Sequence, residues 1–132
     1  ILDGASEVRV GAGRFASESI AETALRSTLT GVSPIRPGVP VNAGGLLNKR
    51  YLDIFQPGNR IGYEVKHGKV KASSRAKRQL LADRDAVALG QDGLVDQVEW
   101  HFFANQRGVF GPDEELLTLL QQTGRPYVIH LP

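Results

Sequence analysis

The spacing of apolar residues divides the chain into helical and extended segments. From Phe15 to Thr30, Ala21, Leu25 and Leu29 recur four apart, and Ser17 or Ser19 stands where a cap is needed; the pattern predicts a first helix. Residues 31–48 hold three prolines and four glycines, which remove backbone donors and favour turns, so they read as a long surface loop. Lys49 to Lys66 reads as two strands that pair across a turn at Gln56-Pro57-Gly58-Asn59. A turn at His67-Gly68 and a short third strand at Lys69-Val70-Lys71 follow. Ser73 or Ser74 then caps a second helix running to about Leu89 and ended by Gly90, with Ala76, Leu80, Asp83 and Val87 along one side.

Val95 to Phe103 is rich in aromatic and branched residues and predicts a buried strand, with Trp100 and Phe102 on one face and Glu99, His101 and Phe103 on the other. Gly111-Pro112-Asp113 opens a last helix, made apolar by Leu116, Leu117, Leu119 and Leu120 and closed by Gly124. Tyr127 to Leu131 reads as a final strand. Residues 1–14 read as a loose lead-in with a short strand at Val8 to Val10. Strand, helix and strand at this spacing suit a parallel crossover, so the expected class is α/β (α+β), a mixed sheet flanked by helices in one domain spanning residues 1–132.

Composition changes this picture in three ways. There is no cysteine, which excludes disulfides and thiolate zinc sites, and no methionine, so the chain reads as a fragment or processed product. No apolar run approaches the roughly 18 residues of a membrane span. Net charge is only +2, yet Lys49 to Arg84 holds ten basic and three acidic residues, a local balance of +7 against −5 elsewhere. Such a surplus attracts a polyanion, and phosphate contact is the usual source of sequence-independent affinity.

The charge surplus surrounds the stretch with the most chemistry. On a strand from Ile61, Glu64 and Lys66 point to one face, while Tyr63 and Val65 point to the other. Pairing of the two arms brings Asp53 beside them, giving two carboxylates and an ammonium on a rigid sheet. Nearby carboxylates repel and are stabilised by a divalent cation, for which Mg²⁺ with its preference for oxygen ligands is the natural choice. A lysine alongside can hold an attacking water or stabilise charge developing on a phosphate. The same letters also fit a surface strand with an ordinary cross-strand salt bridge.

Asp53 followed by Glu64-Val65-Lys66 resembles the PD-(D/E)xK, or restriction-endonuclease-like, nucleases, in which an acid ends one strand and acid-x-lysine lies on the next. The Tyr63-Glu64-Val65-Lys66-His67-Gly68 phrasing with a basic helix behind it looks most like the C-terminal toxin domains of bacterial polymorphic toxins, including contact-dependent inhibition and Rhs-type effectors. Leu52 stands where the family's name places proline. The resemblance covers residues 15–105 and implies an αβββαβ core with a C-terminal αβ extension. It also implies Mg²⁺ or Mn²⁺ held by Asp53, Glu64 and the main-chain carbonyl of Val65, supported by an acid of the first helix, Glu22 before Glu18. Lys66 would then position or activate water, with Gln79 orienting the nucleophile or the lysine. Lys69, Lys71, Arg75, Lys77 and Arg78 would contact phosphates.

By the same resemblance the activity is an endonuclease acting on DNA, or alternatively on tRNA. It would be delivered into a target-cell cytoplasm as a toxin and neutralised by a cognate immunity protein. A non-catalytic nucleic-acid-binding module is the rival from the residues alone, and an interaction domain meeting an acidic partner is a further one. Other candidates are weaker. Gly11-Ala12-Gly13 lacks the third glycine and the preceding strand of a dinucleotide loop. His67, His101 and His130 do not have metal-ligand spacing; His67 stands beside Lys66, and a lone strand histidine such as His101 is commonly packed or hydrogen-bonded.

Overall fold

Hydrophobic residues two apart form strands and those three and four apart form helices in the computed structural model of the chain, which describes residues 6–32, 39–45, 48–90 and 94–132, with 39–45 and 48–50 described by their backbone alone. In chain order the elements are β1 (Glu7–Arg9), β2 (Arg14–Phe15), α1 (Glu18–Arg26), β3 (Val39–Gly45), β4 (Asn48–Leu52), β5 (Ile54–Gln56), β6 (Ile61–His67), α2 (Ser74–Ala88), β7 (Gln97–Asn105), α3 (Glu114–Gln122) and β8 (Tyr127–His130). Each helix starts at a side-chain cap: Ser17 Oγ accepts from Ile20 N, Ser73 Oγ from Ala76 N and Asp113 Oδ1 from Leu116 N.

The six-stranded sheet is mixed, with order β1-β8-β7-β6-β5. All pairs in that order are parallel except β5 with β6. β2 adds to β7 at Ala104 and Asn105, beyond the residues that β8 pairs. The β7-α3-β8 crossover is the expected parallel one. β3 and β4 form a separate antiparallel ribbon. Among the described residues no helix is long and apolar enough to cross a membrane.

The sheet has a core on each face. α2 and α3 bury Leu80, Leu116 and Leu120 against Trp100, Phe102 and Val98, while α1 buries Ala21 and Leu25 against Tyr63, Val65 and Phe103. Trp100 and Phe102 are inaccessible to solvent, and burial of such side chains contributes about 2–3 kcal/mol each.

Three expectations change. Residues 31–48 are not one loop, because 39–45 form β3 and pair with β4; residues 33–38 and 46–47 lie outside the described residues. Pro40 fits because each strand of a two-stranded ribbon has an edge without ladder partners. The third strand at Lys69 to Lys71 is reduced to a single bridge between Val70 and Pro112. The first arm of the expected hairpin is broken at Asp53: Lys49 to Leu52 belong to β4, and only Ile54 to Gln56 pair with β6.

The break has a packing cause. Leu52 and Ile54, two apart, would share a face on a regular strand, yet Leu52 is buried with Trp100 and Ile54 with Tyr63 and Val65. An irregular residue between them shifts the alternation. Gly62 completes the fit, since a Cβ there would overlap the side chain of fully buried Leu52. Gly62→Ala is therefore expected to cost about 1–3 kcal/mol, read as a lower urea midpoint. The loss should shrink in a Leu52→Ala background; equal losses in both backgrounds would show that Leu52 is not the obstacle.

Candidate active site

Asp53 is fixed at three points by the break that it occupies. Its amide donates to Tyr63 O at 3.1 Å, its carboxylate Oδ2 accepts from Val65 N at 2.7 Å, and its carbonyl accepts from Arg26 Nη2 at 2.9 Å. The carboxylate is thus held against β6 beside Glu64.

Period-two alternation places Glu64 and Lys66 together on the α2 face, with Lys66 Nζ 3.0 Å from Glu64 Oε2. Gln79, one turn into α2, accepts from the same ammonium through Oε1 at 2.8 Å. Beneath it lies Trp100, whose ring centroid is 5.0 Å from Lys66 Nζ, within cation–π range. The indole cannot turn freely, because its Nε1–H donates to Oδ2 of fully buried Asp83 at 2.7 Å.

Glu18 is the first residue of α1, so its side chain reaches past the helix start. Carboxylate oxygens of Glu18, Asp53 and Glu64 lie within 4.8 Å of one another, graded from exposed Glu18 through partly buried Asp53 to buried Glu64. Glu22, the first choice from the sequence, is not in this group: its Oε2 meets Arg26 Nη2 at 2.9 Å, one helical turn on. Arg26 thereby joins Glu22 to the Asp53 carbonyl.

Burial, reinforced by the charge of Glu64, pushes the Asp53 carboxyl up to about 7, against the opposing hydrogen bond from Val65 N. Burial also raises Glu18, with the Lys66 charge partly offsetting it. Three converging hard oxygen donors, with the ionisation of Asp53 and Glu18 opposed by their surroundings, suit a divalent cation such as Mg²⁺ or Mn²⁺.

The basic residues named from the sequence are exposed around the start of α2. Lys77 is paired with Glu115 of α3 at 3.3 Å, while Lys69, Lys71, Arg75 and Arg78 make no ion pair among the described residues. The histidines lie elsewhere. His67 Nε2 bonds to Phe15 O on the α1 face, and His101 bonds to Glu99 and His130. Sequence reasoning missed Arg26, although its i,i+4 spacing from Glu22 was a signal, and missed Trp100 as the floor under Lys66, for which no local signal exists.

No family model, no curated protein and no solved structure matches this chain.

An acid whose folded pKa lies above its unfolded value lowers stability as pH rises between the two values. Asp53→Asn should therefore raise the melting temperature in chelator at pH 8 and not at pH 4, with the gain growing as pH rises towards 7 and level above it. Added Mg²⁺ should stabilise the wild type at pH 8 and leave Asp53→Asn nearly unmoved. A pH-independent gain would contradict the shifted carboxyl.

Proposed function

We propose that this chain is a divalent-metal-dependent endonuclease of restriction-endonuclease-like fold, hydrolysing phosphodiester bonds of DNA. One observation carries the reading: Glu18, Asp53 and Glu64 converge beside a lysine that is held by Glu64 and Gln79. Sheet neighbours alone would account for Glu64 and Lys66, but not for an acid brought from α1 and another from a strand break.

In this reading Glu18, Asp53, Glu64 and the Val65 carbonyl hold the cation, which supplies charge neutralisation at the phosphate and a more acidic water. Lys66 directs an N–H at the attacking water or at the phosphate oxygen that gains charge. Gln79 and the Trp100 face keep the ammonium aimed, so little reorganisation is needed as charge develops. Glu22 acts at one remove, holding Arg26 against the Asp53 carbonyl. Lys69, Lys71, Arg75 and Arg78 contact the substrate backbone; Lys77 contributes after release from Glu115.

The toxin role belongs to the same proposal. A nuclease delivered into a target-cell cytoplasm requires an immunity protein in the producer, and exposed cations beside a site whose acids bind metal offer such a protein a surface to cover.

The deciding experiment incubates the protein with plasmid DNA and, separately, total tRNA, with Mg²⁺ or chelator. DNA should be cut only with the metal, and Lys66→Ala should lose on the order of 10²-fold or more in rate with an unchanged circular dichroism spectrum. Cutting of tRNA alone would move the substrate to RNA. Full activity of Lys66→Ala would remove this mechanism. Absence of cutting in Mg²⁺ or Mn²⁺ would leave a non-catalytic binding module.

A further inference from the structure

The C-terminal ends of β6 and β7 carry cations that take no part in the acid cluster. β7 leaves the sheet through a tight loop, Asn105 to Val109, that its first residue holds together. Asn105 Oδ1 accepts from Arg107 N and Val109 N, each at 3.0 Å, and the Asn105 amide donates to Val109 O at 2.9 Å. Arg107 stands exposed on this loop and makes no ion pair among the described residues.

Arg14 lies across the same loop. It pairs with Ala104 through β2, and its Nη1 donates to Gln106 O at 3.4 Å. A Cβ on Gly108 would come within 3.1 Å of the guanidinium, so the glycine leaves the space that this planar group takes up. Arg14 too is exposed and makes no ion pair among the described residues. A cation held by backbone and by shape, instead of by a carboxylate, keeps its charge available and loses less side-chain freedom on meeting an anion.

The loop continues the cationic surface at the start of α2. A Cβ on Gly68 would meet the Asn105 side chain at 3.3 Å, which puts Lys69 beside the loop. His67 Nε2, 2.7 Å from Phe15 O, ties β2 to the end of β6. Towards the acid cluster, the charge of Arg75 reaches Glu18. The cations therefore run from the cluster across the strand ends. Register gives the scale: Lys66 pairs with Phe102 and Arg14 with Ala104, two residues along and two strands over, so their Cα atoms stand about 12 Å apart. A nucleic-acid strand carries one charge per ~3.4 Å of helix axis, so this distance spans roughly three or four phosphates.

We propose that Arg14 and Arg107 hold the backbone of a polynucleotide roughly three or four phosphates away from the acid cluster, so that the protein takes up an extended strand. The two arginines fix the position of that strand and read no base. The inference rests on the nuclease reading for what is cut, while the surface itself is tested by binding.

Fluorescence anisotropy of a labelled DNA duplex of about 30 base pairs, titrated in chelator so that nothing is cut, measures affinity against salt. The slope of log K against log salt should become shallower by about 1 for Arg14→Gln or Arg107→Gln and by about 2 for both together. Arg60→Gln, which removes a cation paired with Asp96 at the opposite end of β6, should leave the slope unchanged. With Mg²⁺, the double variant should raise KM for plasmid DNA and keep the wild-type kcat. Unchanged slopes, an equal change in Arg60→Gln, or no duplex binding by the wild type would overturn the surface; unchanged slopes with plasmid still cut would do so and leave the nuclease reading standing. Shallower slopes without any cutting by the wild type would uphold the surface and remove the nuclease instead. Should Arg14→Gln fail to fold, Arg107→Gln decides, since that side chain projects from the loop without an ion pair among the described residues.

Discussion

The hydrogen bond from the Val65 amide to the Asp53 carboxylate is the constraint on which the rest of the molecule turns. Leu52 must enter one core and Ile54 the other, so the chain cannot run as a regular strand between them. At such a break the backbone loses ladder partners, and buried N–H and C=O groups without partners are costly. Asp53 meets this need with its own amide, carbonyl and carboxylate, which bind Tyr63, Arg26 and Val65. The local solution to a strand break is thus also what places a carboxylate beside Glu64. Gly62 belongs to the same arrangement, because the returning strand leaves no room for a Cβ over Leu52.

Electrostatically the arrangement is unfavourable by itself. Asp53 is buried enough, and close enough to Glu64, for ionisation to be opposed until about neutral pH. The Val65 N–H relieves part of this at Asp53 and the Lys66 charge part of the corresponding cost at Glu18, yet Lys66 too is held in place, by Glu64, Gln79 and the Trp100 ring. A core assembled for stability alone would be better served by apolar residues here, since replacing buried ion pairs with well-packed apolar groups is often neutral or stabilising. Concentration of such cost at one place is what a functional site looks like in physical terms. The cations around α2 balance the acids at long range but contact none of them among the described residues, which leaves them open to an anion from solution.

Elements with local signals were legible in the chain. α2 and α3 were bounded by Ser73, Asp113 and their apolar stripes, and β7 by its aromatic content. Glu64 and Lys66 followed from a period of two. The break at Asp53 was hidden because Leu52, Ile54 and Phe55 read as one continuous strand; only the requirement of two separate cores interrupts it. β3 was masked by prolines that a central strand would reject and a two-stranded ribbon accepts. Glu18 and Glu22 lie on one side of α1, so spacing could not choose between them. The choice is made by Arg26, which pairs with Glu22 in its own helix and leaves Glu18, at the helix start, to meet the acids of the sheet.

Strand β7 serves both faces at once. Trp100 supports Lys66 from below, and on the opposite side the neighbouring His101 bridges Glu99 and His130. Alternation keeps the side chains apart, but they share one backbone whose register is tied to β6 and β8. A packed strand does not deform gradually, so a substitution that shifts β7 disturbs both faces, whereas one confined to a side-chain tip reaches only its own face. A conservative replacement such as Asp53→Asn acts on the acid cluster alone because it preserves the size of the side chain, and with it the register of the strands on which both faces depend.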